Sequence, residues 1–308
     1  MTTTFSEKIK QQITRLEYND QDLESLVFAF LINRLKINLS NNKQEWILDS
    51  NFSFIARFIG DSIKKLFNIN VHYSYSAINK FNNMRTYRVV IDDPSFVNIV
   101  ERANFFYELM QKSSQKQDQM VKRAFLSGAF LSGGSIGGID KSIYHLEIRS
   151  NKAEYLRILQ KILMDFQLSP TILKRKYSYV IYIKRSFEIS DFLKLVGAMD
   201  AMFELEETIA VRDYNNNIHR MNNLDIANME KTAKSGMEQV EMINKIIDTQ
   251  QYATSSEKFK NFCQLRLENP TLSLSGLQEK YYNKYKIKVT RTGLNHYVIK
   301  LKELSKKS

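Results

Sequence analysis

Two groups of side chains in this 308-residue sequence carry recognisable chemistry. Near the C-terminus, Arg291, Thr292, Asn295, His296 and Lys300 fall within one short span, with Lys302 just beyond. An arginine forks onto guanine or phosphate and an asparagine amide pairs with adenine, while threonine, histidine and lysine reach either bases or phosphates. Upstream, Arg212, Arg220, Asn223 and Asn228 offer the same groups in an Asn-rich stretch that reads as a loop. The alternative there is an Asn-rich helix junction. Neither group breaks bonds. Four scattered histidines and the lone Cys263 have no metal-ligand spacing. Gly133-Gly134 and Gly137-Gly138 match neither a phosphate loop nor a dinucleotide fingerprint. No catalytic residue, metal, cofactor or small-molecule substrate is therefore expected.

The C-terminal group needs a helix to present it. Leu294, Val298, Leu301 and Leu304 recur at helical spacing, which predicts a helix beginning after Thr290 and ending near Ser305. A preceding helix starts after Ser273 or Ser275 and runs to about Tyr285. Before it, Lys258–Glu268 ends at Asn269-Pro270, because the residue before proline avoids the α region. Phe259, Phe262 and Cys263 share one face of that first helix, so Cys263 reads as a core residue. Three such helices suit a helix-turn-helix, whose last helix enters the major groove. A three-helix protein-interaction domain is the alternative.

Charge separates the two. Residues 257–308 carry 12 Lys/Arg against 4 Glu, whereas residues 1–256 carry 33 against 29 Asp/Glu. Two-thirds of the net charge of +12 thus lies in the last sixth of the chain, which favours attraction to phosphate over a merely solvated tail. No apolar run is long enough for a membrane span, and the N-terminus lacks a secretory pattern. The location expected is cytoplasmic and nucleoid-associated.

The first two hundred residues repeat one pattern, α-β-β-α-β-β-α. Its first copy runs helix Gln21–Asn33, strands Leu35–Leu39 and Glu45–Asp49, helix Phe52–Phe67, strands Asn70–Tyr75 and Arg85–Ile91, and helix Pro94–Met110. The second runs helix Met120–Ser132, strands near Ile136 and at Tyr144–Arg149, helix Lys152–Phe166, strands Thr171–Lys176 and Tyr179–Lys184, and helix Phe187–Val196. A polar stretch, Gln111–Gln119, links them. Ser25 and Ala29, and likewise Gly128 and Ser132, place small side chains four apart, which lets the two opening helices approach closely. From Gly197 to Ile247 the chain reads as helical and polar, ending in an amphipathic helix at Glu238–Ile247. The expected fold is α+β. Its parts are residues 1–110, residues 120–200, a helical linker over 201–256 and an all-α helix-turn-helix over 257–308.

The segment Leu126-Ser-Gly-Ala-Phe-Leu-Ser-Gly-Gly134 resembles the LAGLIDADG helix of homing endonucleases, with Leu23–Leu31 as a degenerate counterpart. In that family two such helices pack at a pseudo-two-fold axis, each followed by a saddle of strands that lies on DNA. The eighth motif position is an acid that holds a divalent metal for phosphodiester hydrolysis. Here those positions read as Phe30 and Gly133, while Glu24 and Asp140 lie elsewhere, so cleavage is not expected.

Over nearly its full length the chain is similar to the WhiA family of bacterial transcriptional regulators. The likeness is carried by Arg123–Ser135, Tyr144–Ile148, His219-Arg220 through Ala227-Asn228, Leu265–Pro270 and Thr292-Gly-Leu-Asn-His296. It implies a degenerate LAGLIDADG body, sequence-specific binding to double-stranded DNA, sporulation control in some bacteria, and links to cell division or chromosome organisation in others. It also implies that Arg291, Thr292, Asn295, His296 and Lys300 lie on the recognition helix. Tyr297 and Ile299 stand where relatives usually carry arginines, and Leu224 and Asp225 replace the Cys and Glu of the Asn-rich family motif. The second function weighed is an interaction scaffold for RNA polymerase, a sigma factor or a division component. The third is a metal-dependent nuclease.

Overall fold

The computed structural model describes residues 3–40, 43–76, 85–112, 119–137 and 144–307. Asp140 and Gly138 lie outside them. The chain divides into two compact units, Met1–Val211 and Arg212–Ser308.

The first unit is built on two long helices, α2 (Asp20–Arg34) and α5 (Gln119–Gly133). Both are buried along almost their whole length, as their apolar composition demands. They run tightly together because one side offers no Cβ. A Cβ on Gly128 would stand 2.1 Å from the Leu26 carbonyl oxygen and 3.0 Å from the Ala29 Cβ. Ser25 donates its hydroxyl to the Val121 carbonyl at 2.8 Å, so the small positions are also polar links.

Each central helix leads straight into a four-stranded antiparallel sheet. The first holds β1 (Leu35–Ser40), β2 (Lys43–Ser50), β3 (His72–Tyr75) and β4 (Tyr87–Ile91), in the order β1-β2-β4-β3. The second holds β5 (Gly134–Gly137), β6 (His145–Ser150), β7 (Thr171–Lys174) and β8 (Tyr179–Ile183), in the matching order β5-β6-β8-β7. Alternation sets which face is covered: Tyr144, Leu146 and Ile148 are buried, while His145 and Glu147 are half-buried and Arg149 is exposed. Helices α3 (Ser53–Phe67) and α6 (Ala153–Asp165) each follow the second strand of their half. Helices α4 (Phe96–Lys112) and α7 (Ser186–Leu195) close the two halves. The anticipated repeat, α-β-β-α-β-β-α twice, is the observed topology.

An additional helix, α1 (Phe5–Ile13), precedes the repeat. Thr4 caps it, Ile9 and Ile13 are fully buried, and Ser6 exchanges two hydrogen bonds with the backbone of Ile136 on β5.

Helix α8 (Met199–Ile246) contributes its residues up to Val211 to the first unit and those from Arg212 to the second. Of the loop and the helix junction left open for 212–228, the structure has neither break: the stretch is continuous helix. No glycine or proline lies between Gly197 and Gly236, and asparagine costs well under ~1 kcal/mol per helical position, too little to break the run. The second unit continues with α9 (Gln250–Ala253), α10 (Glu257–Glu268), α11 (Leu274–Tyr285) and α12 (Arg291–Lys307). Its core joins Ile243 and Ile246 of α8 to Phe259, Phe262, Leu277, Tyr281, Leu294 and Leu301. Among the described residues, no helix is long and apolar enough to cross a membrane.

Candidate nucleic-acid interface

Helix α12 is fixed from beneath and from its start. Leu294, Val298 and Leu301 are buried against α10 and α11, as the leucine stripe predicts. Thr290 caps it, its hydroxyl accepting from the Gly293 N–H at 3.1 Å. Helix α11 is capped by Ser273, not Ser275, through the Gly276 N–H at 3.1 Å, and ends at Lys286 in the left-handed region.

This frame leaves Arg291, Thr292, Asn295, His296 and Lys302 exposed. With 100° per residue, Arg291, Lys302, Asn295, Thr292 and His296 fan from the flank beside Val298 round to the side opposite the leucines. Ile299 sits in the middle of that fan and is 46% exposed. Lys300 is not part of it. Its ammonium lies 4.7 Å from the centroid of the Phe259 ring, on the flank facing α10. Tyr297 is on that flank too, its ring 6.0 Å from Phe259 and 5.8 Å from Phe262.

Residues not singled out in the sequence extend the surface. A groove beside the start of α12 is lined by Ser275, Gln278, Glu279, Tyr282, Lys288, Val289 and Thr290. Lys286 and Lys288 are exposed in the turn that precedes Arg291. The signal was the spacing Lys-x-Lys just before the capping threonine.

The second group lies on α8. Arg212 is half-buried; Arg220, Asn223 and Asn228 are exposed. Helical geometry puts Arg212, Arg220 and Asn223 on one side and turns Asn228 away. Asn228 instead borders a groove with Met229 and the turn Thr271–Ser273. Under that turn Arg266 is only 2% exposed and donates to the Leu272 carbonyl at 2.6 Å. Its partners are carbonyls and its role is to hold the corner. Burial pulls its guanidinium down to about 10. Burial likewise pushes the Cys263 thiol up to about 12, so it is core and unreactive.

In the first unit, the register of the two halves revises one assignment. Helix α5 ends at Gly133 with β5 starting at Gly134, and α2 ends at Arg34 with β1 starting at Leu35. Gly134 pairs with Ile148 and Leu35 with Leu48. The counterpart of Gly133 is therefore Arg34. Phe30 lies one turn back and is buried in the core. Neither position fits a divalent metal. Arg34 is a cation, and a Cβ on Gly133 would meet the Arg149 carbonyl oxygen at 2.4 Å. Among the described residues, no cluster of three His, Cys, Asp or Glu could hold a metal ion.

A family model described as the WhiA LAGLIDADG-like domain matches residues 122–215, and one described as the WhiA C-terminal HTH domain matches residues 218–305. The chain is 30% identical over 312 residues to the probable cell division protein WhiA of Staphylococcus carnosus, covering 99% of this chain and 97% of that protein. The chain belongs to the WhiA family. The relative of that name in Staphylococcus aureus strain Newman is 28% identical, with the same coverage. The fold is that of full-length WhiA from Thermatoga maritima, with a TM-score of 0.59, 22% identity, and coverage of 99% of this chain and 98% of that one. Within this WhiA chain the body is a LAGLIDADG-like fold whose two motif ends carry Arg34 and Gly133. The helix-turn-helix match begins on α8, so Arg220, Asn223 and Asn228 fall inside the same matched region as α12, whereas Arg212 falls at the end of the LAGLIDADG-like match.

Proposed function

We propose that this WhiA-family chain is a non-catalytic, sequence-specific DNA-binding protein that regulates genes connected with cell division or chromosome organisation. The observation that carries the reading is the face of α12, where Arg291, Thr292, Asn295 and His296 stand exposed on a rigidly capped helix in the most basic part of the chain. A helix-turn-helix places the N-terminal residues of its last helix on base edges, and those are the residues exposed here. Lys286 and Lys288, at the preceding turn, suit phosphate. Ile299 suits the methyl of thymine. The link to cell division rests on the names of the relatives. The absence of catalysis rests on Arg34 and Gly133 at the motif ends.

A gel-shift titration on genomic fragments tests the reading. Tight binding to a subset of fragments is expected, falling with salt at about 0.9 log units of affinity per log unit of salt for each phosphate neutralised. Absence of binding at low salt refutes it. Chelator-sensitive cutting of plasmid with Mg²⁺ refutes the non-catalytic part.

A further inference from the structure

We propose a second, separate anion site: the first unit binds a phosphate group in a pocket lined by Lys10, Arg34, Asp49, Ser50, Asn51 and Ser132. The argument begins with Lys10. It is only 8% exposed, and its ammonium lies 5.2 Å from the centroid of the Phe52 ring and 5.7 Å from that of Phe130. Among the described residues it has no hydrogen-bond acceptor and no carboxylate within ion-pair distance. Contact with ring faces offsets only part of the desolvation cost of a buried ion. A buried cation in that position is under-compensated by the protein alone.

The neighbours sharpen the deficit. Arg34 lines the same pocket, anchored through Nε on the Ser132 carbonyl, and its charge repels that of Lys10. The carboxylate beside them, Asp49, stabilises the Arg34 charge but is shared with Lys36 at 2.6 Å and Arg88 at 3.4 Å. Two cations therefore face a cleft whose nearby acid is shared with two others. Ser50 and Asn51 supply a hydroxyl and an amide at the rim.

The fold repeat extends the arrangement. On the far side of Arg34 a second hollow is lined by Asn33, Arg149, Ser150, Asn151 and Ser178. The corners Ser50-Asn51 and Ser150-Asn151 occupy matching places after β2 and β6. Arg34 thus stands between two Ser-Asn corners, with Lys10 on one side and Arg149 on the other. A tetrahedral anion with several acceptor oxygens satisfies a forked guanidinium, an ammonium and amide donors together, which a single carboxylate does not.

The test uses the full-length chain and its one tryptophan, Trp46, which lies buried on β2 and so reports unfolding of this unit alone. Thermal unfolding followed by Trp46 emission is compared in inorganic phosphate and in chloride of equal ionic strength. The expected result is a melting temperature several degrees higher in phosphate, saturating with concentration. Lys10→Met and Arg34→Gln should each abolish that shift. Arg34 has an exposed side chain, so Arg34→Gln keeps the test valid if Lys10→Met folds poorly. Equal melting in the two salts, or an unchanged shift in Arg34→Gln, overturns the proposal. A competition then identifies the source of the phosphate, using a chain carrying Lys286→Ala, Lys288→Ala, Arg291→Ala, Asn295→Ala and Lys302→Ala so that duplex binding at α12 is suppressed. Displacement of inorganic phosphate by a short DNA duplex assigns the site to the nucleic-acid backbone; displacement by a free nucleotide but not the duplex assigns it to a small molecule. Neither readout depends on whether α12 reads DNA.

Discussion

Asn295 and Lys288 separate reading from holding. Asn295 is exposed near the start of α12 and Lys288 is exposed in the turn before it, so alanine at either site should change folding by less than about 0.5 kcal/mol. Their losses in DNA binding should differ in kind. A bidentate amide-to-base pair discriminates by about 1–3 kcal/mol, or roughly 5- to 150-fold. Asn295→Ala should weaken binding to the preferred site by that factor, leave binding to scrambled duplex nearly untouched, and keep the salt slope. Lys288→Ala removes one phosphate contact. It should weaken both duplexes alike and lower the log-log salt slope by about 0.9. The assay is fluorescence anisotropy on a preferred and a scrambled duplex at four salt concentrations. Equal weakening of both duplexes by Asn295→Ala, or an unchanged slope in Lys288→Ala, would refute the assignment of these side chains.

Four further outcomes follow from packing and titration. Gly128→Ala puts a Cβ against the Leu26 carbonyl oxygen and should lower the stability of the first unit by at least the 1–3 kcal/mol typical of overpacking, read as an earlier urea midpoint in Trp46 emission. Gly236→Ala puts one 1.9 Å from the Pro270 carbonyl oxygen, so amide hydrogen exchange should quicken across α10 and α11 while Trp46 emission stays unchanged. Cys263 should stay unlabelled by a thiol reagent until denaturant is added. Burial and then the charge of Arg34 hold the Lys10 ammonium down at about 8, against about 10.4 in an unfolded chain. The unfolded chain therefore binds more protons between those values, and stability rises with pH across that window. The cost is fully present below pH 8. Relative to Lys10→Met, the wild-type unit should gain about 2 kcal/mol between pH 8 and pH 10, and a flat difference would refute it.

Much of this molecule is written in local patterns. The Leu294, Val298, Leu301 stripe alone oriented α12, because a half-buried helix announces which side is covered. The alternation of Tyr144, Leu146 and Ile148 did the same for β6. Reading failed where that contrast vanishes. Helix α2 is apolar on nearly every side, from Leu26 to Ile32, so its sequence has no phase, and the motif slid by four residues onto Leu23–Leu31. Only the pairing of Leu35 with Leu48 fixes the register and brings Arg34 to the helix end. Helix α1 went unread although Phe5, Ile9 and Ile13 fall four apart on one face, because two turns make too short a stripe to stand out. The Asn-rich stretch read as a loop by composition, although nothing in it breaks a helix.

Lys300 shows a different limit. Five polar residues on one helix look equivalent in a sequence, yet a step of 100° per residue separates them. Lys300 falls beside Tyr297, over Phe259, because Val298 and Leu301 must face the core. The same rotation carries Ile299 into the middle of the exposed face. An apolar side chain there carries no charge, so under the proposed function it would contribute no counterion release, and its contact with DNA would depend on a methyl group being present. Selectivity at that position should then track thymine and persist at high salt, whereas affinity supplied by Lys286, Lys288 and Lys302 fades.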